Sequence, residues 1–255
     1  MKWWRCMEEK LVSVVARVLV VDAGNTSIKF TAFEDEQILW VQRDDSCPVD
    51  TGFAPDRIYF ASVRSKEQSA LLHADIQAEF PGSVWFTLTS QDEACGVINA
   101  YVEPKRLGVD RWLGVIAAHH RAKGDVVVVD AGTAIKVDVV GKDGVHLGGY
   151  ITPGLGMMEN VLLSKTARIR YDACEVVAGR GLPDSTARAV TEGCHEMVLG
   201  FLERIHRRYP NFKWVVTGGD SQVLLSLLDI SMEYQPNLVA LGAKLVGDEQ
   251  VRGNK

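Results

Sequence analysis

The sequence has little that would carry it to nucleic acid or into a membrane. Acidic residues outnumber basic ones, 33 Asp and Glu against 28 Lys and Arg, so the basic surplus of a nucleic-acid binder is missing. A short basic cluster, Arg204 with His206, Arg207 and Arg208, reads as the solvated end of a helix. No run approaches the roughly 18–20 continuous apolar residues that a membrane helix needs. Cysteine is sparse: five, at positions 6, 47, 95, 174 and 194, odd in number and never spaced Cys-x-x-Cys. That pattern speaks against structural zinc and suits a reducing cytoplasm. The adjacent His119 and His120 point about 100° apart on a helix and make a poor metal grip. No low-complexity linker interrupts the chain.

What is there fits 255 residues arranged as two domains or one large one. Residues 1–17 read as an extra N-terminal arm carrying Trp3 and Trp4, or as the product of a start upstream of Met7. An export signal is rejected, because cleavage would fall near the first motif and spoil it.

The main organisational signal is an internal repeat. Val18 to Val21 form an apolar run ending in Asp22-Ala23-Gly24-Asn25-Thr26-Ser27-Ile28-Lys29. A second strand runs to Phe33, a polar turn follows over Glu34 to Gln37, and Ile38 to Val41 give a third strand. The pattern returns from Val126: an apolar run, Asp130-Ala131-Gly132-Thr133, a strand through Lys136 to Val140, a turn at Asp143-Gly144, and a third strand over Val145 to Tyr150. Glycine lets a buried strand reverse sharply, and small residues there leave backbone N–H groups open to a ligand. An Asp at such a strand end suits a metal or its waters. One Asp-Gly turn is common in hairpins; two in matching surroundings point to a duplicated phosphate grip.

Between and after the copies lie helical patterns. Glu67 to Phe80 places Leu72, Ile76 and Phe80 at spacing four, and Val84 to Leu88 reads as a strand. Asp110 is placed to cap a helix carrying Trp112, Leu113, Ile116 and Ala117. Ser185 or Asp184 starts a long helix, Lys213 to Val216 is a strand opening onto Thr217-Gly218-Gly219-Asp220, and Asn237 to Val246 closes as a helix. The ligand is expected in the cleft between the two turns.

These residues resemble the actin, sugar-kinase and heat-shock ATPase superfamily, on both Asp-Ala-Gly turns and on Thr217 to Asp220. Within it, Tyr101-Val-Glu-Pro104-Lys-Arg-Leu-Gly108-Val109-Asp110-Arg111 resembles a segment of type III pantothenate kinases. His146 to Gly154 and Ser185-Thr186-Ala187 are similar to that family as well. The likeness spans about Val18 to Val246. Lys136 stands where many members carry a small hydroxyl residue, and Ala23 and Ala131 where other small or branched residues occur.

The resemblance implies an α/β fold of two duplicated ribonuclease H-like, actin-like ATPase domains. Their mixed sheets are flanked by helices, residues 18–122 and 123–255, with an ATP cleft between. It implies transfer of the ATP γ-phosphoryl group to the 4′-hydroxyl of pantothenate, the entry to coenzyme A biosynthesis. On that reading Asp22 to Lys29 and Thr133 bind ATP, with Gly24, Asn25 and Thr26 cradling phosphate and Lys29 adding charge. Asp22 holds Mg²⁺ through water, and Asp130 takes a monovalent cation, K⁺ or NH₄⁺. Asp110 is the general base, fixed as a helix cap. Arg111 suits a substrate carboxylate. Tyr101, Gly108, Val109, Arg111 and Thr186 line a pantothenate pocket completed across a homodimer. Two rivals stand beside this reading. Another small-molecule kinase or phosphatase on the same scaffold is opposed by the Tyr101 to Arg111 segment. A regulatory binding protein would be expected to have lost Asp22, Asp110 or Asp130, and all three are present.

Overall fold

The structure, a computed structural model, describes residues 16–44 and 52–253. The expected N-terminal arm falls outside them up to residue 15. The chain opens with the strands β1 (Arg17–Ala23), β2 (Ile28–Glu34) and β3 (Gln37–Asp44). It continues through β4 (Arg57–Ser62), helix α1 (Lys66–Glu79) and β5 (Val84–Thr87). A small hairpin, β6 (Glu93–Ala94) and β7 (Val97–Ile98), leads to α2 (Val109–Ala122). The second half repeats the plan with β8 (Val126–Ala131), β9 (Ala134–Val140) and β10 (His146–Pro153). Two helices follow, α3 (Leu155–Lys165) and α4 (Thr186–Arg208), before β11 (Lys213–Thr217). Helix α5 (Ser221–Leu227), strand β12 (Glu233–Tyr234) and helix α6 (Leu238–Gly253) complete it.

The repeat in sequence is a repeat in space. The first sheet runs β3-β2-β1-β4-β5 and the second β10-β9-β8-β11-β12. In each, the Asp-bearing strand pairs antiparallel with the next strand and parallel with the fourth. Local signals set the helix starts. Ser65 accepts from the Gln68 N–H at 3.2 Å and Gln68 answers to the Ser65 N–H, closing a capping box on α1. Ser185 accepts from Arg188 N–H and caps α4.

Strand alternation explains why β1 and β8 are apolar at nearly every position. Leu19 and Val21 face the cluster under α1, with Leu72 and Ile76. Val18 and Val20 face a central cluster instead, which Val126 and Val128 of β8 enter from the other sheet. Val127 and Val129 point outward to the face covered by α4. Between the sheets lie α2 and α6. Trp112, Leu113, Val115 and Ile116 are fully buried there beside Leu238, Ala243 and Val246. The two helices touch closely: a Cβ on Gly242 would stand 1.9 Å from the Leu113 carbonyl oxygen, so only glycine fits.

Helix α6 runs on to Gly253, past the expected end at Val246, because its last turns have partners. The Tyr59 hydroxyl donates to Asp248 at 2.6 Å, and Lys244 pairs with the same carboxylate. Glu249 accepts from the Cys95 N–H at 3.0 Å. Burial and Glu249 together push the Cys95 thiol up to about 12. Helix α6 belongs to residues 123–255 by sequence and is anchored to the first sheet's side of the molecule.

Candidate active site

The two Asp-Ala-Gly turns face each other. The Thr26 and Thr133 hydroxyls lie 2.6 Å apart, joining turns that are 107 residues distant in sequence. Gly24 N–H closes the first turn onto the Ser27 carbonyl at 3.1 Å. Behind the second turn Gly218 adopts φ +97°, where a Cβ would strike the Ala131 carbonyl oxygen at 2.1 Å. That glycine is required for Thr217 to Asp220 to fold against the end of β8. A cavity of about 1010 Å³ opens between the turns, lined by Asp22, Gly24, Thr26, Ser27, Lys29, Asp110, Asp130, Gly132, Thr133 and Lys136, with Gly218, Gly219 and Asp220 at one side.

Asp22, Asp110 and Asp130 all line the cavity on the side of the turns. Burial, then Asp110, then Asp130, push the Asp22 carboxyl up to about 7 against the pull of Lys29 and Lys136. Among the described residues nothing hydrogen-bonds the Asp22 carboxylate, which faces the cavity. A carboxylate free of hydrogen bonds beside the Thr26 and Thr133 hydroxyls would suit a Mg²⁺ ion held through water. No group of three or more His, Cys, Asp or Glu gathers to hold a metal directly among the described residues.

Lys29 and Lys136 occupy matching positions, each directly across the sheet from its Asp: Asp22 with Lys29, Asp130 with Lys136. Lys29 Nζ donates to the Pro236 carbonyl at 2.5 Å, and burial followed by Arg43 lowers its pKa to about 8. Lys136 Nζ lies 2.8 Å from Asp110 Oδ2 and 2.8 Å from Asp130 Oδ2. Burial would lower its pKa, but Asp130 and Asp110 outweigh it and hold the ammonium above the ordinary lysine value.

A monovalent cation does not fit Asp130 with this lysine in place. The ammonium already sits 2.8 Å from Asp130 Oδ2, so a further cation at this carboxylate would meet a like charge that is fixed in place. On the inner side only a void of about 10 Å³ remains among Asp110, Asp130, Lys136 and Asp138, the limit for one water.

Asp110 joins the site differently from its expected role as a cap. Gly108 holds the N-cap position of α2, and Asp110 sits in the first turn. Its Oδ1 accepts from the Arg111 N–H at 2.8 Å, leaving Oδ2 on Lys136. A Cβ on Gly108 would meet that Oδ1 at 2.6 Å, so the glycine leaves room for the carboxylate to turn back.

The remaining acceptor-side residues do not line the cavity. Arg111 is buried, its Nε and Nη2 on the Asp138 carboxylate at 2.9 and 2.6 Å and its Nη1 on the Tyr101 hydroxyl at 2.8 Å. His146 Nε2 reaches Asp138 at 2.9 Å, and its ring stacks parallel to Tyr101. The guanidinium expected to meet a substrate carboxylate is therefore paired inside the chain. Val109 is buried in the central cluster and Thr186 is exposed at the start of α4. In the first turn Ala23 and Ile28 are fully buried under the sheet, so only their backbone is open to a ligand, and Asn25 is exposed at the tip.

Sequence reasoning missed five contributors. Asp138 carried a signal: a carboxylate inside the apolar run of β9 must find a partner. Arg43, at the end of β3, lines the cavity without belonging to either turn. Met157, Asn160 and Ser164 do so from α3, a helix with no clear periodic signal.

Comparison with known proteins identifies the family. The family model for type III pantothenate kinase matches residues 44–208. A type III pantothenate kinase from Marinomonas sp. (strain MWYL1) is 77% identical over 244 residues, covering 96% of this chain and 100% of that protein. Another, from Pseudomonas aeruginosa (strain LESB58), is 34% identical over 89% of this chain and 98% of that one. Two solved structures share the fold alone. A candidate Baf family transcriptional activator from Campylobacter jejuni has a TM-score of 0.60 at 24% identity, covering 92% of this chain and 99% of that one. A candidate N-acetylmannosamine kinase from Listeria monocytogenes has a TM-score of 0.53 at 11% identity, with the same coverage. The architecture is a duplicated α/β fold shared with these two structures, and the chain belongs to the type III pantothenate kinase family.

Proposed function

We propose that this chain transfers the γ-phosphoryl group of ATP to the 4′-hydroxyl of pantothenate. The observation that carries the reading is the position of Asp110, whose carboxylate enters the same cavity as both phosphate turns. The phosphate chain lies along Thr26, Ser27, Gly132 and Thr133, with the Lys29 ammonium supplying charge, and the nucleoside lies toward Gly218 and Gly219. Mg²⁺, carried through water by Asp22, supplies charge neutralisation on the phosphates when bound. Asp110 accepts the proton as the 4′-oxygen bonds to the γ-phosphorus. The bond from that phosphorus to the bridging oxygen breaks, and ADP leaves with the electron pair. Such transfer needs positioning and charge stabilisation more than covalent chemistry, which is what this cleft offers.

Tyr101, Gly108, Val109 and Arg111 form the wall behind Asp110, and Thr186 is assigned to the pocket of a neighbouring subunit in a homodimer. Exposed apolar residues on the edge strand β10, Leu147, Tyr150 and Ile151, support such a contact. No described helix is long and apolar enough to cross a membrane, and the proposed place of action is the cytoplasm. The test is product identity: with ATP, Mg²⁺ and pantothenate, mass and phosphorus NMR spectra should show pantothenate phosphorylated at the 4′-oxygen. Phosphorylation only of other alcohols in a panel of sugars and polyols would replace pantothenate as the substrate.

A further inference from the structure

The family resemblance calls for a monovalent cation at Asp130, but the chain delivers a cation of its own there. We propose that Lys136 is a built-in replacement for that ion, its ammonium bridging Asp110 and Asp130, so that the enzyme works without K⁺ or NH₄⁺. The inference rests on the kinase reading above.

Several independent features carry it. Lys136 lies directly opposite Asp130 in the β8–β9 register, so both side chains rise from the same face of the sheet. The ammonium is therefore tethered beside its carboxylate, and a free ion would have to compete with a charge that never diffuses away. Its two contacts are equal, 2.8 Å to each carboxylate, as a small cation shared between them would make. The lysine and both partners are largely shielded, with 22%, 14% and 24% of the side chains exposed for Lys136, Asp110 and Asp130. The neighbouring guanidinium is committed elsewhere, Arg111 to Asp138 and Tyr101. The bridge joins a carboxylate from each half of the chain, Asp110 on α2 and Asp130 on β8.

The experiment uses the full chain with ATP, Mg²⁺ and pantothenate in buffers whose only monovalent cation is choline, then with KCl at matched ionic strength. The wild type should show the same turnover in both. Lys136→Thr, which restores a small hydroxyl residue, should lose about 10²-fold in choline, as when a pre-placed charge or donor is removed from a reaction site. KCl should return much of that activity. A second reading needs no catalysis: KCl should raise the melting temperature of ligand-free Lys136→Thr over choline chloride and leave the wild type unmoved. Severalfold stimulation of the wild type by K⁺, or a K⁺-specific rise in its melting temperature, overturns the proposal even if the variant does not fold. Equal rescue of Lys136→Thr by choline and K⁺ overturns it as well. Absence of pantothenate-dependent turnover by the wild type in every buffer, KCl included, counts against the kinase reading instead, and the melting temperatures still decide the role of Lys136.

Discussion

The first and second Asp-Ala-Gly turns place the same two residues in the same cross-strand relation and use them differently. In both, an Asp ends the first strand and a Lys stands opposite it on the second. Each lysine also reaches the start of a central helix rooted in the other half. Lys29 meets Pro236, just before α6, and Lys136 meets Asp110, in the first turn of α2. The pseudo-symmetry stops at the acceptor. Pro236 offers a neutral carbonyl, so Asp22 keeps a carboxylate open to the cavity. Asp110 offers a charge, so Lys136 is drawn into a bridge that neutralises Asp130 at Oδ2. A duplicated scaffold thus yields one open side and one internally neutralised side, and the difference comes from a single residue at a helix start.

The largest test of this asymmetry is removal of the odd carboxylate. Asp110→Asn should lower turnover by roughly 10²–10⁴-fold while leaving the circular dichroism spectrum intact, as expected for loss of a general base. Near wild-type turnover would remove Asp110 from that role. Next in size is the open side. Lys29→Ala should raise KM for ATP by about tenfold with a smaller change in KM for pantothenate, since a point charge on phosphate is lost. An effect confined to pantothenate would reverse the assignment of the two sides.

The contact between the turns gives a smaller effect. Thr26→Ala and Thr133→Ala should each weaken ATP binding, and the double variant should lose less than the sum, because the hydroxyls touch in the free chain and serve one phosphate chain. Strict additivity in ATP dissociation constants would mean the turns act separately. Smallest is a stability effect. The Asp22 carboxyl lies at about 7 in the folded chain, above the ordinary ~3.9, so between about pH 4 and 7 the unfolded chain gives up a proton that the folded one keeps. Stability from this group falls as pH rises through that window. Asp22→Asn, free of nucleotide and metal, should therefore melt several degrees higher than the wild type at pH 8, with the gain shrinking toward pH 4.

What could be read from the sequence was what short stretches decide. Both strand-turn-strand copies, the start of α4 at Ser185, and the facing of the two Asp-Ala-Gly turns follow from alternation, capping and glycine placement. Choices made across the fold were not legible. Nothing local says that Lys136 selects Asp110 as well as Asp130, or that Arg111 turns inward to Asp138. Asp110 looked like a cap because carboxylates favour that position. Gly108 took it, and the freed carboxylate turned toward Lys136. Helix α3 lacked a clear apolar stripe, having only Leu155 fully buried, because much of its length faces the cleft rather than a core. The central claim of an ATP cleft serving pantothenate meets its most direct test in ADP release by the purified wild-type chain with Mg²⁺ and ATP, before and after pantothenate is added. Release that begins with pantothenate and saturates with it is the predicted result; folded protein that releases no ADP in response to pantothenate, with or without K⁺, would contradict it.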